Sequence, residues 1–303
     1  SGAGCVNVNP FENIRNTAIE KGGFHHDLSN NFVSYVPGNK ILIVSFDNAY
    51  SPSIIENRKP YGYNFIARHG WSSLGVMEKK KNWFRQDDLR DLFDELKASG
   101  FFLQFEKIVF YGASMGSFGA TAYSSAVPNS TVLIYGPRAT HNHKYFRKNG
   151  FIEQGEKRYD CVPTGIAKAG KVFLFYDPLN EKDAKYADIF RNQNAELFEC
   201  RHLGHVVANE FTSMSILKPI LEKVVDDSFD RTEFYKLFRR RKSSTSYIHN
   251  LMLAAISKGH YSMAYKIVMM MTLQLEPWPA RWKFRRHRKG LRQAINRGGT
   301  YNP

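Results

Sequence analysis

Along the first two thirds of the chain, short apolar runs alternate with stretches of helical spacing. Lys40-Ile-Leu-Ile-Val-Ser-Phe46, Lys107-Ile-Val-Phe-Tyr111, Thr131-Val-Leu-Ile-Tyr135 and Lys171-Val-Phe-Leu-Phe-Tyr176 are almost continuously apolar. Strands covered on both faces read that way. Phe32-Val-Ser-Tyr-Val36 alternates as a one-sided strand does, Ala195–Cys200 is a further short strand, and Tyr63–Ala67 and Leu74–Met77 are read as short strands. Between them, Leu89, Leu92, Phe93 and Leu96 share one helical face behind Asp87-Asp88, and Gly100 stops that helix. Helices are also expected over 115–126, 182–193 and 211–225. Strand and helix in alternation predict an α/β fold, a doubly wound and mostly parallel sheet.

From about residue 229 the pattern changes. Residues 231–241 are helical and basic, and Tyr247, Leu251, Ala254, Ala255, Gly259, Ala264 and Ile267 suggest two antiparallel helices turning at Lys258-Gly259-His260. The expected organisation is a main domain over 1–228, with an insertion or lid at about 138–168, and then a helical hairpin and basic C-terminal tail over 229–303. One such hairpin cannot bury its own face and must dock on something.

Charge adds a second theme. The formal net charge is +15, and residues 281–303 hold eight Lys/Arg and no Asp or Glu, leaving 35 basic against 28 acidic residues elsewhere. A basic tail on a moderately basic body points to an anionic partner, an anionic membrane surface or polysaccharide. Specific nucleic-acid binding is not expected. Cys5, Cys161 and Cys200 are too scattered for a disulfide framework, no apolar run is long enough to span a bilayer, and no secretory leader is read at the start. The expected location is cytoplasmic, peripheral to the membrane if the tail engages it. No cofactor is called for: no glycine-rich phosphate loop occurs, and His141 and His143 have no zinc-type spacing to any Cys or Glu.

The candidate chemistry lies at Phe110-Tyr-Gly-Ala-Ser-Met-Gly116. A β-branched and aromatic run leads into Gly112-x-Ser114-x-Gly116 and then into small, helix-compatible residues. That is the context in which a serine sits on a tight strand-to-helix turn with its hydroxyl exposed. Ser114, Asp177 and His205 then follow in the order Ser…Asp…His, each after an expected strand. Ser114 is the candidate nucleophile and His205 the candidate general base, with His202 a weaker competitor. Asp177 is preferred as the acid because it sits nearest the strand end; Asp183, at the start of the next helix, is the alternative. The polar loop Asp47–Pro52 beyond the strand at 40–46 is the natural place for an oxyanion donor.

Ile43-Val-Ser-Phe-Asp-Asn48, His69-Gly-Trp71, Phe110–Gly116 and Phe175-Tyr-Asp-Pro178 together resemble the α/β-hydrolase fold family of serine hydrolases over about residues 32–225, and within it a bacterial branch. The resemblance implies that fold, a Ser114 nucleophile and a His205 base. It also implies an oxyanion hole from the Met115 backbone N–H and one from the loop after the strand at 40–46, at Asn48 or its neighbour. The chain departs from many lipases and esterases in lacking their His-Gly-Gly-Gly run. The expected activity is cleavage of an ester, thioester or amide through an acyl-enzyme, on a small-molecule or glycan-linked, anionic or carbohydrate-linked acyl substrate. Acyl transfer by the same triad, and a binding or scaffold role on a hydrolase fold, are the alternatives.

Overall fold

The computed structural model describes residues 9–48, 57–138, 158–159, 162–191, 193–274, 278–297 and 301. Eight strands form one sheet: β1 (Phe24–Asp27), β2 (Asn31–Val36), β3 (Ile41–Phe46), β4 (Ser72–Glu78), β5 (Lys107–Ala113), β6 (Thr131–Tyr135), β7 (Lys171–Tyr176) and β8 (Ala195–Glu199). Their order is β1-β2-β4-β3-β5-β6-β7-β8. β1 pairs antiparallel with β2 and β2 antiparallel with β4, and the remaining neighbours are parallel. This is the α/β-hydrolase type of sheet expected from the sequence.

The continuous apolar runs are explained by cover on both faces. Along β5, Ile108 and Phe110 enter one core while Val109, Tyr111 and Ala113 enter the other, and β6 and β7 alternate in the same way. The first core is closed by α3 (Asp87–Ala98), α4 (Met115–Tyr123), α5 (Val162–Lys168) and α6 (Glu181–Phe190). The second is closed by α2 (Tyr63–Arg68), α7 (Val207–Ser213), α8 (Leu217–Val225) and α9 (Arg231–Phe238). A helix, α1 (Glu12–Glu20), packs on the antiparallel end through Ile14 and Ala18.

Several expectations are corrected. Tyr63–Ala67 is a helix, α2: Gly62 at φ +77° lets the chain turn into it, and Phe65 and Ile66 bury one face. The helix expected over 211–225 is two, broken where Ser215 adopts φ +55°. The boundary expected at 228/229 cuts through the second core, because Phe229, Phe234 and Phe238 pack around Phe175, Phe198 and Phe211.

The hairpin is formed by α10 (Thr245–Ser257) and α11 (Tyr261–Gln274), with Gly259 at φ +74° in the turn. What reads as a tail folds back as α12 (Trp278–Arg285) and α13 (Arg288–Arg297). Phe284, Leu291 and Ala294 are buried, Phe284 and Leu291 in a separate small core with Ile248, Met252, Ala264 and Val268. Much of the basic insertion, including His141, His143, Arg147 and Lys148, lies outside the described residues, as do Cys5 and Cys161. No described helix is long and apolar enough to cross a membrane.

Candidate active site

The parallel strands deliver their carboxyl ends to one edge, and the candidate residues gather there. β5 ends at Ala113, and Ser114 follows at φ +52° and ψ −118°, a conformation that L residues adopt only under strain of roughly 1–3 kcal/mol. The surroundings hold it: Ser114 N–H donates to the Tyr135 carbonyl at 2.8 Å, and its own carbonyl accepts from Ser117 N–H at 3.0 Å. The flanking glycines have steric causes. A Cβ on Gly112 would lie 2.2 Å from the Gly116 carbonyl oxygen, and one on Gly116 would lie 2.5 Å from that of Phe46. The first turn of α4 is thus pressed against the end of β3.

Ser114 Oγ lies 2.9 Å from His205 Nε2. His205 Nδ1 lies 2.9 and 3.0 Å from the two carboxylate oxygens of Asp183. Asp183 has no solvent exposure, whereas the His205 side chain keeps 27% of its own. A carboxylate on Nδ1 fixes the proton there, leaving the Nε2 lone pair toward the serine hydroxyl. That is the relay a serine nucleophile requires, with both contacts formed.

The carboxylate that meets the imidazole is that of Asp183, and Asp177, the preferred candidate, does not reach it. Asp177 does follow β7, but its chain turns at once: one carboxylate oxygen accepts from Leu179 N–H at 2.9 Å and the other from Gly204 N–H at 2.7 Å. It holds the loop that carries His205 and does not touch the imidazole. Asp183 is the third residue of α6, whose cap, Asn180, accepts from Asp183 N–H at 3.1 Å. At a helix N-terminus a buried carboxylate is favoured by the orphan N–H groups.

His202 does not compete for the serine; its ring meets Tyr247 edge-on. The loop from 202 to 205 is braced from several sides. Gly136, at φ +59°, leaves room that a Cβ would take from His205, 2.8 Å from its carbonyl oxygen and 3.1 Å from Nδ1. From the C-terminal helices, the Asn250 amide donates to the His202 carbonyl at 2.9 Å, and Ser244 donates to Glu210 at 2.8 Å.

Of the expected oxyanion donors, Met115 is the first residue of α4, where a backbone N–H has no partner within its helix. Asn48 follows β3, and the contact of Gly116 with Phe46 and Asp47 brings that strand end beside Met115. The Asn48 Oδ1 is buried without a hydrogen-bond partner among the described residues. Ala49–Pro52 lies outside them.

Behind Asn48 sits a polar cluster with no sequence signal. Asp47 accepts from Arg58 Nη2 at 2.5 Å, and Arg58 Nη1 donates to the Glu78 carbonyl at 2.6 Å. Burial pushes the Asp47 and Glu78 carboxyls each up to about 7, the Arg58 charge opposing this at Asp47 and the Asp47 charge adding to it at Glu78. Arg138, at the start of the insertion expected over about 138–168, also belongs here, and no motif in the sequence assigns it to the site. Its Nη1 donates to Asp183 Oδ1 at 2.8 Å, and its Nη2 lies 2.9 Å from His205 Nε2. Among the described residues, no cluster of His, Cys, Asp and Glu gathers as a metal site.

No protein-family model matches the chain, and no curated protein does. The fold is similar to solved α/β-hydrolase structures at low identity. The capsule O-acetyltransferase of Neisseria meningitidis serogroup A is 11% identical, with a TM-score of 0.47 over 67% of this chain and 94% of that one. A putative esterase from Staphylococcus aureus is 13% identical, with a TM-score of 0.41 over 66% of this chain and 82% of that one. The α/β-hydrolase MGS-MChE2, from a lagoon-sediment metagenome, is 11% identical, with a TM-score of 0.41 over 68% and 99% of the two chains.

Proposed function

We propose that the chain is a serine hydrolase that opens an ester, thioester or amide through an acyl-enzyme. The observation that carries this reading is the formed Ser114–His205–Asp183 relay on a strained strand-to-helix turn. His205 Nε2 takes the Ser114 proton as Oγ adds to the substrate carbonyl, and Asp183 steadies the imidazolium that results. The carbonyl oxygen, now an alkoxide, receives the Met115 N–H and a second donor from the Asn48 side. Collapse of the tetrahedral adduct expels the leaving group with the proton from Nε2. Water, activated by the same imidazole, then releases the acid; an acceptor hydroxyl taking the place of water would give acyl transfer from the same intermediate.

The cationic outer face of α13 supports an anionic partner, a membrane surface or polysaccharide, for the C-terminal unit. Arg285, Arg288, Lys289 and Arg292 line an open cavity of about 570 Å³ with Gln293 and Asn296.

A fluorophosphonate probe tests the catalytic reading. The folded protein should be labelled once, and labelling should vanish in Ser114→Ala. Absence of labelling in the folded native protein would refute the proposal.

A further inference from the structure

Arg138 stands where a hydrolytic triad by itself has no use for it. Its backbone is pinned, N–H donating to Ser117 Oγ at 2.9 Å, and its guanidinium lies over the Tyr186 ring at 5.3 Å. One arm donates to Asp183 Oδ1 at 2.8 Å and to the Pro137 carbonyl at 2.9 Å. The other lies 2.9 Å from His205 Nε2 and 3.4 Å from Nδ1, over the face of the imidazole, while Ser114 Oγ meets Nε2 at 2.9 Å. The single in-plane lone pair on Nε2 of the tautomer fixed by Asp183 is left to the Ser114 hydroxyl. The guanidinium places a positive charge beside the ring that must become positive as the serine is deprotonated. Left there, its charge opposes the reaction.

We infer that Arg138 is the specificity residue of this site: it recognises a carboxylate or phosphate carried by the substrate close to the scissile carbonyl, and in turning to that anion it takes its positive charge off the face of His205. The planar fork of a guanidinium suits a two-oxygen anion far better than the face of an imidazole. The side chain keeps 14% exposure, so an incoming anion can reach it, and its contact with Tyr186 gives it a surface to pivot on. The inference rests on the serine hydrolase reading and deepens it by naming the substrate's charge. In the reaction the anion only accepts hydrogen bonds from Arg138, and no bond to it is made or broken.

The test compares two esters with one leaving group, p-nitrophenyl acetate and the mono-p-nitrophenyl ester of succinate, on the native protein, Arg138→Ala and Arg138→Lys. The native protein should favour the succinate ester in kcat/KM. Arg138→Ala should lose about 10–100-fold on that ester, as expected for a hydrogen-bonded ion pair, and gain several-fold on the acetate ester. Arg138→Lys should keep part of the preference. An equal fall on both esters, or an unchanged preference, would overturn the inference. If Arg138→Ala fails to fold by thermal melting, the lysine variant and inorganic phosphate decide. Phosphate should raise acetate-ester turnover by the native protein above the rate in chloride of equal ionic strength, and no difference from chloride would overturn the inference. A native protein that turns over neither ester and is not labelled at Ser114 overturns the hydrolase reading itself. Labelling at Ser114 without charge discrimination overturns only the role of Arg138.

Discussion

Exchange of Asp183 for asparagine isolates the acid of the relay. The carboxylate is fully buried and touches Nδ1 with both oxygens, at 2.9 and 3.0 Å. An asparagine keeps the shape but can present an NH₂ to Nδ1, which moves the ring proton to Nε2 and leaves nothing to accept the Ser114 proton. It also removes the negative charge that balances a developing imidazolium. In triads of this geometry the equivalent change costs about 10⁴ in rate, near 5.5 kcal/mol of transition-state stabilisation. Asp177→Asn is the matched control. It disturbs the acceptor of Gly204 N–H at 2.7 Å, two bonded groups away from the chemistry, and should cost about 1–3 kcal/mol of stability. Its effect on rate, through a looser base, should be only roughly tenfold. Ester turnover of both variants, with thermal melts to certify folding, gives the comparison. Equal losses in kcat/KM for the two, or an Asp183→Asn enzyme retaining more than about a tenth of native activity, would refute the assignment.

Two further outcomes are expected. The Glu78 carboxyl, pushed from 4.5 up to about 7 by burial, contributes stability that is complete below 4.5 and lost as pH rises through 7. Glu78→Gln can still accept from Asn82 and Trp83 N–H, so it should gain up to about 3 kcal/mol on the native protein between pH 4.5 and 8 in urea melts; parallel pH profiles would contradict this. Separately, reversing Arg288 and Arg292 to glutamate should weaken binding to heparin and to anionic vesicles and flatten its salt dependence. Binding that does not change would clear this face of the role.

The sequence made the central sheet legible because β3, β5, β6 and β7 lie between two cores, and burial on both faces leaves a plain signature of unbroken apolar residues. The pairing of Ser114 with His205 was legible because tight turns admit few residue types. The carboxylate facing His205 was not, since position along the chain says which aspartate is nearer a strand end but not which way the chain turns there. Asp177 turns inward to its own loop, and α6 then carries Asp183 back to the imidazole. α2 was read as a strand because six residues give too short a window to separate the two periods. The last helices were read as a tail because charge hides their apolar side: Leu291 and Ala294 are spaced among cations, and only the packed structure shows them turned inward.

The Asn250 contact sets a hierarchy of stability within the molecule. The loop bearing His205 leans on a helical unit whose own core is small, whereas Ser114 stands at the end of a strand buried between two cores. Opening of the lesser unit would free the His202 carbonyl and slacken the base while leaving the sheet whole. On the proposed reading, such a protein would lose activity on warming before the sheet unfolds, its working temperature set by its least stable part.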